Sequence, residues 1–204
     1  MKLILWGAGG HGKVVLDVAR ATGAYTDIAF ADDDPAVGRQ FAGCPVLRRP
    51  VEGYKQFLVS IGDNRTRAAC YGKAVADGLG PATLIDPSAV ISPTARIGSG
   101  TVVMPRVVVN ADAEVGENCI LNTGAIVEHD CKIGDHSHIS PGAVLGGGVW
   151  VGRFAHLGIG VNVLPGAVIG DGATIGAGAV VLAEIPAGAT AVGVPAKVLV
   201  RRVD

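Results

Sequence analysis

The chain has 204 residues, with 17 Lys and Arg against 18 Asp and Glu, and only 4% aromatic residues. A near-zero net charge and scarce aromatics argue against a nucleic-acid or anionic-membrane surface, and no apolar run approaches the roughly 18 residues of a membrane span. The opening MKLILW runs straight into GAGGHG and is too short for a secretory signal, which points to the cytoplasm.

From the N-terminus, MKLILWGAGGHGKVVLDVAR reads as strand, glycine-rich turn and helix. Gly7, Gly9 and Gly12 satisfy G-x-G-x-x-G, and Asp32 lies 20 residues beyond Gly12 at the end of a second strand, DIAFA. That context suits a dinucleotide-binding turn. Taken alone it suggests NAD and an oxidoreductase. Only about 84 residues precede a change of pattern, however, enough for half of the double unit. Such a turn offers backbone N–H groups and a helix N-terminus to phosphate, so a nucleoside diphosphate serves as well. A third strand in FLVSIG, a helix from about Arg65 to Ala76 and a strand near Ala82–Ile85 complete the segment. The competing reading of Asp32–Asp34 is a solvated turn before Pro35.

From Ile85 a branched aliphatic recurs every six residues: Ile85, Ile91, Ile97, Val103, Val109, Val115, Leu121, Val127, Ile133, Ile139, Leu145, Val151, Leu157, Val163, Ile169, Ile175 and Val181. The fifth position of each hexad is mostly small. The second and fourth are rich in Gly, Asp and Asn, which tolerate positive φ. The frame runs unbroken through Pro186. Neither a helix nor a hairpin sheet has a period of six. A parallel β-helix of three-sided coils, 18 residues each, does. Sixth positions point outward, and one column of them, Val90, Val108, Ile126, Val144, Asn162 and Val180, forms an apolar stripe that predicts a subunit contact. Coverage by the N-terminal segment is the alternative.

The stretch VEHDCKIGDHSHIS holds three of the five histidines. His138 and His156 are 18 apart and should stack on adjacent coils, but Ile120 and Thr174 flank them. No metal site of three or four ligands is expected from one chain. The four cysteines, Cys44, Cys70, Cys119 and Cys131, form no CxxC pair and read as reduced core thiols. His129, between Glu128 and Asp130, is either an acid–base residue or a surface histidine at a corner where the fourth hexad position favours Asp.

Asn122, Val127, Glu128, His129, Asp130, Cys131, Ile133 and Gly134, with SHISPG at 137–142 and GVPAK at 193–197, resemble the bacterial NeuD/PglD-like sugar acyltransferases, hexapeptide-repeat enzymes. The resemblance covers essentially the whole chain. It implies an α/β half-Rossmann-like domain (residues 1–84) that holds a nucleotide-sugar, followed by a left-handed parallel β-helix (85–186) and a C-terminal tail (187–204), assembled as a homotrimer. It further implies acetyl-CoA as co-substrate, His129 as general base supported by Asp130 with Glu128 as fallback, and His138, Ile159 and Ala177 on the coenzyme. Gly9, Gly10, His11, Asp32, Asp33 and Gly62 would hold the nucleotide-sugar. Relatives carry Asn-Asn where this chain has Asp63-Asn64, which points to altered base or sugar specificity. The implied reaction is N-acetylation of a UDP-, GDP- or dTDP-linked 4-amino sugar, with O-acetylation of a sialic-acid-type sugar as runner-up. A β-helix serving only as a trimerisation scaffold leaves His129 and its two acids unexplained.

Overall fold

The computed structural model describes residues 1–49 and 51–199. The apolar LILW run forms the middle of β1 (Lys2–Trp6), which is buried from Leu3 onward and parallel to β2 (Asp27–Ala31) on one side and β5 (Gln56–Val59) on the other. With β3 (Gln40–Phe41), β4 (Cys44–Leu47) and β6 (Gly80–Pro81) the sheet order is β3-β4-β2-β1-β5-β6, parallel except for the β3–β4 pair. Helix α1 (Gly10–Ala21) follows β1, and α2 (Asn64–Ala76) follows β5. Gly12 allows α1 to close on the sheet, since a Cβ there would lie 2.6 Å from the Gly7 carbonyl oxygen.

The expected strand near Ala82–Ile85 is divided. Gly80–Pro81 ends the N-terminal sheet, whereas Leu84–Ile85 is already the first rung of the coil, paired with Val102–Val103. From there two-residue strands stack in three parallel sheets. The first face carries Val102, Ile120, His138, His156 and Thr174, the second the predicted stripe, and the third Arg96, Glu114, Lys132, Trp150 and Val168. Inward aliphatics from Val103 to Val181 are all buried, each stabilising the coil by about 1.5–3 kcal/mol. Ile85, Ile91 and Ile97 are less buried because the first coil is open at its end.

The polar hexad positions divide their labour. Fourth positions hold the positive φ, with Asp130 at +60° and His136 at +61°. The second-position glycines serve close approach instead: at Gly134 a Cβ would lie 2.6 Å from the Arg153 nitrogen on the next coil. The frame also ends before Pro186. Ile169 pairs with Ile185 and Thr174 with Thr190, a spacing of 16 rather than 18. Thr190–Val192 still adds a rung, and Lys197–Val198 folds back antiparallel on it. Residues 200–204 of the expected tail lie outside the described residues.

The N-terminal domain covers the first face, not the second. Val102 and Ile120 are 1% and 0% exposed, whereas Val90 on the second face is 63% exposed. The predicted alternative, coverage of the apolar stripe by the N-terminal segment, is therefore overturned. Helix α2 supplies the clasp: buried Asn64 donates to the carbonyls of Phe154 and Ala155, and Arg67 to those of Asn118, His136 and Ser137.

Candidate active site

The corner between the second and third faces stacks Ala111, His129, Gly147 and Pro165, tied by Asp130 N–H to the Ala111 carbonyl, Gly148 N–H to that of His129 and Gly166 N–H to that of Gly147. His129 Nδ1 lies 2.7 Å from Asp130 Oδ2, and both side chains are open, 63% and 65% exposed. The hydrogen bond to Asp130 is the main cause holding the imidazole above its ordinary pKa, with smaller charge effects from Asp130 and Glu128. The left-handed backbone at residue 130 explains why a short acidic residue stands there, and the same residue makes the pair. The fallback partner is otherwise engaged, because Glu128 accepts a 2.9 Å bond from Asn110 Nδ2 one coil below.

Gly147 was not singled out by the sequence reading. A Cβ there would lie 2.5 Å from His129 Nε2 and 2.6 Å from Cε1, so the imidazole occupies the room that the missing side chain leaves. Gly146 and Gly148 on either side meet other needs, close approach to Pro165 and a φ of +68°. The run GGG, one coil above Glu128–His129–Asp130, was the available signal. Cys131 is fully buried with its thiol on the Gly146 carbonyl, as expected for core.

The other edge of the second face stacks Thr123, Pro141, Ile159 and Ala177. Ile159 is 63% exposed and Ala177 exposed. Within one chain, His129 and the Ile159–Ala177 edge thus stand on opposite sides of the same face. His138 is on neither edge. It lies on the covered first face, 8% exposed, stacked on His156 at 4.9 Å and 6.3 Å from the His11 ring. Burial, the charge of His156 and that of Arg67 depress its pKa to about 3. The direct coenzyme contact implied for His138 is not presented by the single chain, since the N-terminal domain closes over the ring. Its Nε2 is 3.0 Å from Asn122 Nδ2, and Asn122 Oδ1 accepts the N–H of Thr123 on the Ile159 edge.

A cavity of about 470 Å³ opens at the glycine turn, lined by Gly9, Gly10, His11, Asp32, Asp34, Ser60 and Gly62 among others. Nothing lies within 4 Å of where a Cβ would stand on Gly9 or Gly10, and the N-terminus of α1 carries no side-chain cap. The N–H groups at that end are thereby left for an anion. Asp32 braces the turn, accepting from Ala8 N at 2.9 Å and Asp34 N at 2.9 Å. Asp33 does not line the cavity. Arg49, itself over the Trp6 ring, holds its carboxylate and lowers its pKa. Asp63 and Asn64 also point elsewhere, Asp63 capping α2 through Thr66 N and Asn64 clasping the coil. The departure from Asn-Asn is Asp63 alone, which caps α2 and does not line the cavity.

Among the described residues no group of three or more His, Cys, Asp or Glu side chains converges, and no helix is long and apolar enough to cross a membrane.

Residues 2–74 match the model of the PglD N-terminal domain, and residues 112–147 and 148–183 each match the bacterial transferase hexapeptide model of six repeats. A histidine variant of perosamine N-acetyltransferase from Caulobacter crescentus, solved with CoA and GDP-perosamine, is 40% identical with a TM-score of 0.94 over 98% of both chains. The acetyltransferase domain of PglB from Neisseria gonorrhoeae, solved with acetyl coenzyme A, is 40% identical with a TM-score of 0.92 over 97% of this chain and 98% of that one. WeeI from Acinetobacter baumannii is 29% identical with a TM-score of 0.91 over 98% and 100%. Matching family models in both halves and these near-complete overlaps make the chain a member of the PglD/NeuD-like family of bacterial sugar acyltransferases.

Proposed function

We propose that the protein is an acetyl-CoA-dependent N-acetyltransferase acting on the amino group of a nucleotide-activated 4-amino sugar, in bacterial glycan or polysaccharide synthesis in the cytoplasm. The observation that carries the chemistry is the His129–Asp130 pair, with Nδ1 on the carboxylate at 2.7 Å and Nε2 left free. The relatives solved with CoA and an amino-sugar nucleotide support the same substrate classes here.

The amine nitrogen attacks the thioester carbonyl carbon, and His129 Nε2 takes the proton that the nitrogen must lose as the C–N bond forms. The tetrahedral intermediate collapses with cleavage of the C–S bond, and the imidazolium returns the proton to the departing CoA thiolate. Asp130 fixes the Nδ1–H tautomer and stabilises the imidazolium. Positioned proton transfer of this kind is worth about 10²–10⁴ in rate, with much of the remainder coming from holding both substrates together.

The site is completed by assembly. In a homotrimer packed through the second face about a threefold axis, the His129 edge of one copy meets the Ile159–Ala177 edge of the next, where pantetheine lies. His138 acts on that edge through Asn122. The nucleotide occupies the cavity at Gly9, Gly10, His11, Asp32 and Gly62, with Asp34 in the place expected for Asp33.

The test is thiol release from acetyl-CoA with a panel of UDP-, GDP- and dTDP-linked 4-amino sugars. Turnover with at least one amine is the expected result. Silence across the amines with turnover of hydroxyl acceptors establishes the O-acetyltransferase instead.

A further inference from the structure

The cavity at the glycine turn has an electrostatic peculiarity for a diphosphate site. Its lining includes the carboxylates of Asp32 and Asp34 and, among the described residues, no lysine or arginine. Lys13, in the first turn of α1, lies over the Phe41 ring. Arg48 reaches the Asp32 and Val37 carbonyls from an exposed position. One cation stands directly behind the turn. Arg67 of α2 is 1% exposed, and its guanidinium donates to the carbonyls of Ile61 and Gly62, both of which line the cavity, at 3.2 and 3.0 Å. The remaining donors go to Asn64 Oδ1 and to the carbonyls of Asn118, His136 and Ser137.

No carboxylate reaches this guanidinium among the described residues. A buried charge is ordinarily paired, because desolvation is otherwise uncompensated. Here carbonyl dipoles satisfy the N–H groups, and Asp63 acts on the charge only through space, without a salt bridge. Burial lowers the pKa to about 10, so the group stays cationic at neutral pH. Its field reaches the cavity lining, for it is the second cause, after burial, of the depressed pKa of His11.

We propose that Arg67 is the counter-charge for the diphosphate of the substrate, acting from behind the turn through the Ile61–Gly62 peptides without touching the ligand. The inference rests on the nucleotide-binding reading of this cavity. Arg67 is thus a positioning residue with an electrostatic job beyond its clasp on the β-helix. A field held in the low-dielectric seam is stronger than that of an exposed side chain and is little screened by salt. The cavity thereby selects anionic nucleotides while keeping Asp32 and Asp34 free of competing ion pairs with surface lysines.

The experiment measures binding of UDP, GDP and dTDP, each beside its own nucleoside, by calorimetry on the full-length protein and on Arg67→Gln and Arg67→Lys. In Arg67→Gln the diphosphate affinity is expected to fall about tenfold or more while the nucleoside affinity stays within about twofold. Arg67→Lys, which keeps the charge and loses the fork, should recover most of the diphosphate-to-nucleoside ratio. Equal losses for nucleoside and diphosphate would reduce Arg67 to a structural clasp and overturn the proposal. If Arg67→Gln does not fold, the unsubstituted protein decides. Diphosphate affinity changing less than about threefold between 50 and 500 mM NaCl fits a buried charge, and a collapse over that range assigns the phosphates to exposed cations. Failure of the unsubstituted protein to bind any of the nucleotides removes the underlying nucleotide reading, a result distinct from an unchanged ratio in Arg67→Gln.

Discussion

His129 Nε2 and the backbone of Gly147 are packed so closely that a methyl group on Gly147 would lie 2.5 Å from that nitrogen. Nδ1 is already taken by Asp130, so Nε2 is the nitrogen left open to a proton. Gly147 does not adopt the left-handed backbone, so alanine there is tolerated by the chain and the clash falls on the imidazole. Gly147→Ala should lower kcat by about 10²-fold, the scale of a 1 Å misplacement, with a melting temperature close to that of the parent. Steady-state kinetics beside a thermal melt checks this; unchanged kcat would mean the ring has freedom the geometry denies it.

His129→Ala should cost about 10² or more in kcat without altering assembly. The pH profile distinguishes the two neighbouring acids. The base works unprotonated, and Asp130 raises its pKa above the ordinary 6.5, so kcat/KM should climb with pH through that raised value and then level. Asp130→Asn removes the largest cause, so its acid limb should move to lower pH while the plateau falls. Glu128→Gln should move the limb least, because Glu128 is the smallest contributor and is held by Asn110. A larger displacement from Glu128→Gln than from Asp130→Asn would reverse the assignment.

Replacing the half-buried Val108 and Val144 of the second face by Glu should give monomers by light scattering, and the monomers should be inactive because His129 and the Ile159–Ala177 edge no longer meet. Co-assembly supplies a positive counterpart. His129→Ala mixed with an Ile159→Arg variant, each inactive alone, should regain activity at those mixed junctions that keep both wild-type edges. Full activity in a monomer would remove the shared-site geometry.

The domain seam should be acid-labile. Burial depresses His11 to about 4 and His138 to about 3, and lowers His136 and His156 as well. Below pH 6.5 the unfolded chain binds protons that the folded seam refuses, so stability is fully present above that value and is lost as pH falls toward 4 and 3. The loss should be on the order of 2 kcal/mol per strongly shifted histidine between pH 6.5 and 5. Urea unfolding across that range checks it, and His138→Gln should flatten the slope.

Much of the architecture was readable because it is periodic. An inward aliphatic every six residues and left-handed fourth positions are local requirements, and they place His129 at a corner without any long-range information. The glycine turn was legible for the same reason, as strand, Gly7, Gly12 and helix in order. The frame was misread only past Val181, where hydrophobic residues continue but the coil shortens to 16 residues.

Side-chain partnerships between coils and across the seam were not legible. Asp32 and Asp33 are adjacent in sequence, yet Arg49, 16 residues on, withdraws one from the cavity and leaves the other bracing the turn. Glu128 and Asp130 flank the same histidine, and an asparagine 18 residues earlier decides between them.

The sequence alone determined the coil, its corners and the glycine turn, and it marked His129 between two acids as the candidate base. Only the tertiary structure decided which face the N-terminal domain covers, which acid is hydrogen-bonded to His129, why residue 147 is glycine, and that Arg67 lies buried behind the turn without a salt bridge. Periodicity is written in the spacing of neighbouring residues. Pairing depends on which rotamers fit once separate coils and domains are pressed together.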